Sequence, residues 1–281
     1  MLFKNIRTLN LRLIKHFSSR TQVNEEGLKV SSTVDKNEIE QHVKFAEEWW
    51  NEDGPMKALH SMNRLRIPFI KNGLNNAYKV SAIAEEKVDC LKGFKILDVG
   101  CGGGILTLPL ARLGGDVVGL DASQELIDCA KKYSKFNLQT DTLDYVCSNI
   151  EDFSETNKEV FDVVVISEVI EHVTNKDLFL KAIHKILKPG GSLFTTTISQ
   201  TFASWLGAIV VAEQLLNLLP PGIHDWDKFI SANDLTKKLE EVGFYTVMVH
   251  GMLYIPGLNT WKWCNNTSIN YALHSLKRFR K

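Results

Sequence analysis

Phe94-Lys95-Ile96-Leu97-Asp98-Val99-Gly100-Cys101-Gly102-Gly103-Gly104 is a short apolar run that meets an acid and then opens into closely spaced glycines. A strand that leads into such a loop, with a helix after it, points backbone N–H groups and a helix amino terminus at a ligand. Glycine serves where φ must be positive or where a ligand has to touch backbone. The dinucleotide fingerprint G-x-G-x-x-G needs a third glycine, which falls on Ile105 counted from Gly100 and on Thr107 counted from Gly102. The spacing therefore argues against a pyrophosphate ligand. A nucleoside carrying an amino-acid moiety, as in S-adenosylmethionine, fits better, because Asp98 is suited to hold an ammonium group.

The rhythm around this stretch is strand, turn, helix. Residues 106–113 read as a helix stopped by Gly114-Gly115, and 116–120 as a strand closing in Asp121. Residues 123–136 are helical, 144–147 form a strand, and 161–167 are a β-branched strand of the kind buried in a parallel sheet. A helix over 177–187, a Lys188-Pro189-Gly190-Gly191 turn and a strand over 192–197 follow. Such alternation predicts an α/β, Rossmann-like fold: a mostly parallel, doubly wound sheet with helices on both faces. At the end of the second strand Asp121 can accept both ribose hydroxyl protons, or it can cap the next helix. Ile150 and Glu151, after the third strand, border an adenine ring or belong to an ordinary loop.

Lysine plus arginine equals aspartate plus glutamate at 33 each, so no polyanion-binding surface follows and nucleic acid is a poor partner. The five cysteines are scattered without framework spacing, as in a reducing compartment. Residues 1–20 carry Lys4, Arg7, Arg12, Lys15 and Arg20, with no acid before Glu25 and apolar residues at helical spacing. That is the pattern of a mitochondrial transit peptide. Residues 21–42 read as a polar linker, and 43–281 as the main domain with an amino-terminal helical segment over 43–91. Phe45, Trp49 and Trp50 open that segment and read as packing residues, as do Trp261 and Trp263; His224, beside Trp226, reads as structural. The stretch 202–219, within an insert over about 202–229, is largely apolar but interrupted by Glu213, Gln214 and Asn217. It is marginal for roughly 30 Å of hydrocarbon, so it packs on the core, lies on a membrane or covers a hydrophobic substrate.

Glu168, Glu171 and His172 follow the buried strand, at the sheet edge where open α/β folds bind ligands. On a helix these positions share one face and offer two carboxylates and an imidazole to a divalent cation. Without a metal, Glu168 or His172 is a candidate general base; the same residues also serve merely to shape a substrate mouth.

The glycine loop, Gly119-Leu120-Asp121 and Leu187-Lys188-Pro189-Gly190-Gly191 resemble class I methyltransferases. Trp49-Trp50, residues 55–60 and 62–66, the Ser167-Glu168-Val169-Ile170-Glu171-His172-Val173 stretch, residues 222–229 and Gly251-Met252-Leu253-Tyr254-Ile255-Pro256 resemble the ubiquinone-biosynthesis O-methyltransferases. That resemblance implies methyl transfer from S-adenosylmethionine to phenolic hydroxyls of polyprenyl dihydroxybenzoate and demethylubiquinol. It implies cofactor contacts by Arg66, Gly100, Asp121 and Ser167, to which the reading of the residues adds Asp98, Gly102 and Ile150, and it implies magnesium on Glu168, Glu171 and His172. It also implies a peripheral enzyme on the matrix side of the mitochondrial inner membrane, associated with other quinone-synthesis enzymes. A different phenol or protein nitrogen as acceptor, or a non-catalytic scaffold, are the competing readings. Intact Gly100, Gly102, Gly104 and Asp121 weigh against the scaffold.

Overall fold

A computed structural model of the chain describes residues 32–80, 87–138, 140–199 and 229–279. The transit-peptide stretch, the apolar run over 202–219 and His224 lie outside them.

Eight strands form one sheet in the order β3-β2-β1-β4-β5-β8-β6-β7. They are β1 (Lys95–Val99), β2 (Asp116–Asp121), β3 (Leu143–Cys147), β4 (Phe161–Ser167), β5 (Leu187–Ile198), β6 (Phe244–Ile255), β7 (Thr260–Cys264) and β8 (Asn270–Lys277). The first five run parallel, and β8, β6 and β7 add an antiparallel edge. The helices are α1 (Lys36–Val43), α2 (Lys57–Tyr78), α3 (Thr107–Arg112), α4 (Gln124–Asn137), α5 (Ile150–Thr156), α6 (Lys176–Ile186) and α7 (Ala232–Glu241). The expected class is thus the observed one.

Period-two alternation explains the two-faced core. Leu97, Val118, Val164 and Ile166 point to one side, where Phe179, Leu180 and Ile183 of α6 and Leu235 and Leu239 of α7 cover them. Ile96, Val117, Val163 and Val165 point to the other and meet Met62, Phe69, Ile70 and Leu74 of α2. Helices begin where short polar side chains satisfy the first free amides: Ser123 Oγ accepts from Leu126 N, Asn175 Oδ1 from Leu178 N and Ser231 Oγ from Asp234 N.

Five local expectations are corrected. Residues 36–43, inside the expected linker, are helical, and the aromatic segment after them is a 3-10 turn over Ala46–Glu48 rather than an α-helix. The expected helical segment over 43–91 is not helical in its last described part: α2 ends at Tyr78, with Lys79 in the left-handed region, and residues 88–93 are turns. The expected turn at Lys188–Gly191 is absorbed as a bulge, since the pairing register jumps from Phe161↔Leu187 to Val163↔Ser192. Ile170–His172 is a 3-10 turn, not an α-helical face.

Candidate active site

The sheet order reverses at β1, which lies between β2 and β4, so the ends of these strands border the crevice where open α/β sheets take ligands. The glycine loop starts there. Gly100 N and Cys101 N both donate to Leu120 O, at 2.7 and 3.1 Å, bending the chain off β1. Gly100 has φ +68°, and a Cβ on it would lie 2.5 Å from Val169 Cγ2. Gly102 N donates to Asp121 Oδ2 at 2.8 Å, while Asp121 Oδ1 accepts from Ser123 N at 2.9 Å. Burial raises the Asp121 carboxyl above its ordinary range, and the backbone N–H groups of Ser123 and Gly102 oppose that rise. Asp121 is therefore held in place by backbone while each oxygen keeps lone-pair capacity for a further donor.

Asp98 is buried, and its Oδ2 accepts from Thr107 Oγ1 at 2.7 Å. Burial pushes its carboxyl up to about 6, against the pull of Thr107 and the Arg66 guanidinium. Arg66 reaches into the same region from α2. It is 5% exposed, which corrects the surface position that a helical arginine would take by default. Nη1 donates to Ser167 Oγ (2.7 Å), Nη2 to Leu59 O (2.8 Å) and Asn63 Oδ1 (2.7 Å), and Nε to Asn63 Oδ1 (3.1 Å). Burial lowers its pKa to about 10 even though Glu168 and Asp98 favour the charged form. Among the described residues no carboxylate forms a salt bridge with it, although Glu168 and Asp98 lie near enough to favour its charge.

Ser167 Oγ lies 2.7 Å from Thr196 Oγ1, fixing the end of β4 against β5. Glu168 follows with φ +57°, a strained conformation for a residue with a side chain, and such strain gathers at functional sites. Its carboxyl is pushed up to about 7 by burial and then by Glu171, against Thr196, Arg66 and His172. Glu171 is 3% exposed and accepts from Thr197 Oγ1 at 2.7 Å. The His172 ring meets the His42 ring edge-on, with centroids 5.4 Å apart.

The family model described as "Methyltransferase domain" matches residues 97–195. The chain is 44% identical over 248 residues to the mitochondrial ubiquinone biosynthesis O-methyltransferase of Rattus norvegicus, covering 88% of this chain and 71% of that one. Against the Homo sapiens protein of the same name it is 43% identical over 247 residues, covering 88% and 66%. Against the ubiquinone biosynthesis O-methyltransferase of Pelagibacter ubique it is 38% identical, covering 88% of this chain and 99% of that one. The chain belongs to the ubiquinone biosynthesis O-methyltransferases. It is accordingly an S-adenosylmethionine-dependent O-methyltransferase. A magnesium protoporphyrin IX methyltransferase from Synechocystis, solved with S-adenosylhomocysteine bound, shares the fold at TM-score 0.55 and 17% identity, covering 86% of this chain and all of that one.

In this O-methyltransferase the expected site residues divide. Arg66, Asp98, Gly100, Gly102, Asp121, Ser167 and Glu168 converge on the carboxyl ends of β1, β2 and β4. Ile150 is 4% exposed and packs in the core at the start of α5. Among the described residues no group of three histidine, cysteine, aspartate or glutamate side chains is gathered closely enough to hold a metal ion. Glu168, Glu171 and His172 do not share an α-helical face, since Ile170–His172 is a 3-10 turn and Glu171 accepts from Thr197. The donor chemistry still suits a hard cation, with two mutually repelling carboxylates and an imidazole close by. Sequence reasoning missed the partners that set this geometry: Thr107 for Asp98, Asn63 for Arg66 and Thr196 for Ser167. No spacing motif marks Thr107 and Thr196, because each lies on another element than its partner, and Asn63 stands one helical turn before Arg66 on α2.

Proposed function

We propose that this protein methylates phenolic hydroxyls of polyprenyl dihydroxybenzoate and of demethylubiquinol, using S-adenosylmethionine bound over the glycine loop. The buried Arg66 guanidinium, hydrogen-bonded to Ser167 and facing Asp98 and Glu168 without an ion pair, is the observation that carries this placement. Arg66 takes the carboxylate of the cofactor, Asp98 its ammonium group and Asp121 its ribose hydroxyls. Backbone at Gly100 and Gly102, with Ser167, lines the methionine side, and Ile150 backs the adenine side.

When bound, the cofactor supplies an electrophilic methyl group on a sulfonium. The acceptor oxygen must be ionised as it attacks, and in this reading Glu168, whose carboxyl burial and Glu171 raise above the ordinary range, takes the phenolic proton. His172 stands beside it as the second acid–base group. Magnesium is the finer element of this reading, with Glu168, Glu171 and His172 as ligands; a cation there would lower the phenol's pKa.

The names of the eukaryotic relatives and the basic, acid-free residues 1–20 support a mitochondrial location. No helix among the described residues is long and apolar enough to cross a membrane. A peripheral position on the matrix face of the inner membrane, alongside other quinone-synthesis enzymes, completes the proposal.

The test is methyl transfer from labelled S-adenosylmethionine to a prenylated catechol, with EDTA or with added magnesium. Metal-dependent product supports acceptor and cation together. Product that ignores EDTA keeps the acceptor and leaves Glu168 and His172 to acid–base work. Cofactor binding without product overturns the acceptor.

A further inference from the structure

The chain between Thr33 and Trp50 crosses the carboxyl edge of the sheet and is tied down at both ends. Thr33 Oγ1 donates to Glu151 Oε1 at 2.6 Å, just after β3. Val34 bridges to Val173 after β4, and Thr174 N donates to Thr33 O at 3.0 Å. At the other end Trp50 Nε1 donates to Gly103 O at 2.9 Å, and its ring stacks on Tyr133 of α4 at a 3.6 Å centroid distance. The segment therefore joins the loops that follow β1, β3 and β4, across the same mouth as Arg66, Asp98 and Asp121.

Trp49 is the residue this strap presents to the glycine loop. Its side chain is 5% exposed. A Cβ on Gly102 would fall 2.4 Å from its Cζ2, and one on Gly103 would fall 2.3 Å from its Cδ1 and 2.8 Å from its Nε1. The indole thus lies against bare backbone, a contact that only glycines at both positions permit. His60 Nε2, 2.9 Å from Trp49 O, holds the backbone behind it. The neighbouring Trp50 uses its indole N–H, whereas Trp49 Nε1 is buried with no hydrogen-bond partner among the described residues. A buried donor without an acceptor is rare, because it has given up water for nothing in return.

We propose that Trp49 is a cofactor-binding residue: its indole N–H donates to an acceptor atom of the bound S-adenosylmethionine, and its ring forms the strap-side wall of the site. This rests on the cofactor lying over the glycine loop, as in the function proposed above. It gives the unpaired donor a partner and makes the loop glycines serve two contacts, with ligand and with lid.

Trp49→Phe keeps an aromatic ring and removes the N–H. Loss of the unsatisfied donor offsets part of the cavity left by the smaller ring, so the Tm is read alongside, while a purely packing role predicts no change in cofactor affinity. The expected result is about tenfold weaker binding of S-adenosylhomocysteine by calorimetry, with the KM for the phenol unmoved. Wild-type affinity in Trp49→Phe overturns the inference. A second readout avoids any folding defect of the variant. In 15N-labelled wild-type protein the Trp49 indole resonance shifts on saturation with S-adenosylhomocysteine; a resonance that stays in place also overturns it. Asp121→Ala serves as the control for the site itself. Weakened binding there with none in Trp49→Phe removes only the tryptophan, whereas full affinity in Asp121→Ala removes the site on which both readings rest.

Discussion

Gly102 donates its backbone N–H to Asp121 Oδ2 across 2.8 Å, joining the loop after β1 to the acid that ends β2. The two strongest sequence signals are therefore one physical unit. Asp121→Ala removes this anchor, the Ser123 N–H acceptor and the proposed ribose contact together. Cofactor affinity should fall by about 1–3 kcal/mol, the scale of lost charge-assisted hydrogen bonds. Calorimetric titration with S-adenosylhomocysteine checks it, and unchanged affinity would refute the ribose assignment.

Arg66 distributes its donors to Ser167, Asn63 and Leu59 in a planar fork. Lysine carries the same charge but cannot reproduce that fork. Arg66→Lys should lower stability by about 2 kcal/mol, through acceptors left unpaired, and weaken cofactor binding as well. Denaturant unfolding and titration measure the two losses separately. A stable variant with intact affinity would return Arg66 to a dispensable helix position.

Much of this site was legible in the sequence because it depends on short-range order. The Asp98 to Gly104 run, Asp121 and the β-branched Phe161–Ser167 strand each announce themselves by local pattern, and the structure sets them side by side through a topology that the strand–helix alternation implies. What was not legible depends on distant contacts. Nothing in residues 36–43 distinguishes α1 from a polar linker, since its mean hydropathy is low and it is docked by neighbours such as Val34 on Val173. The burial of Arg66 could not be read from a helix whose surface face would suit arginine equally well. The i, i+3, i+4 spacing of Glu168, Glu171 and His172 suggested one helical face; the positive φ of Glu168 and the pull of Thr197 on Glu171 break it.

Asp98 links burial to pH. Its folded-state carboxyl sits at about 6, above its ordinary 3.8, chiefly through burial. Between those values the folded protein binds more protons than the unfolded chain, so this group's contribution to stability falls as pH rises from about 4 to 6. Above that window the ionised form costs on the order of 3 kcal/mol. Asp98→Asn cannot ionise and still offers an acceptor to Thr107. Its stability relative to the wild type should be flat below pH 4, climb through the window and level off above it. Denaturant unfolding across pH 3.5–8 reads that difference, and a flat difference throughout would show that Asp98 is not held up by burial. On the proposed role of Asp98, the same variant should bind the cofactor less tightly at neutral pH, because the ammonium group would lose a charged partner.

Gly103 offers a steric test of the strap. Unlike Gly102, whose φ is +53°, it shows no left-handed backbone, so alanine there is limited by space alone. The added Cβ would fall 2.3 Å from Trp49 Cδ1, on a ring that Trp50 and His60 keep from withdrawing. Gly103→Ala should therefore cost about 1–3 kcal/mol, the usual penalty of overpacking. Trp49→Ala clears the space at its own large cost, and in that background the same glycine substitution should cost little. A double-mutant cycle by denaturant unfolding isolates the coupling, expected at about 1 kcal/mol or more for groups in direct contact. Additive losses would mean that the indole does not rest on the loop in solution, and the lid over the cofactor site would have to be held by Trp50 and Thr33 alone.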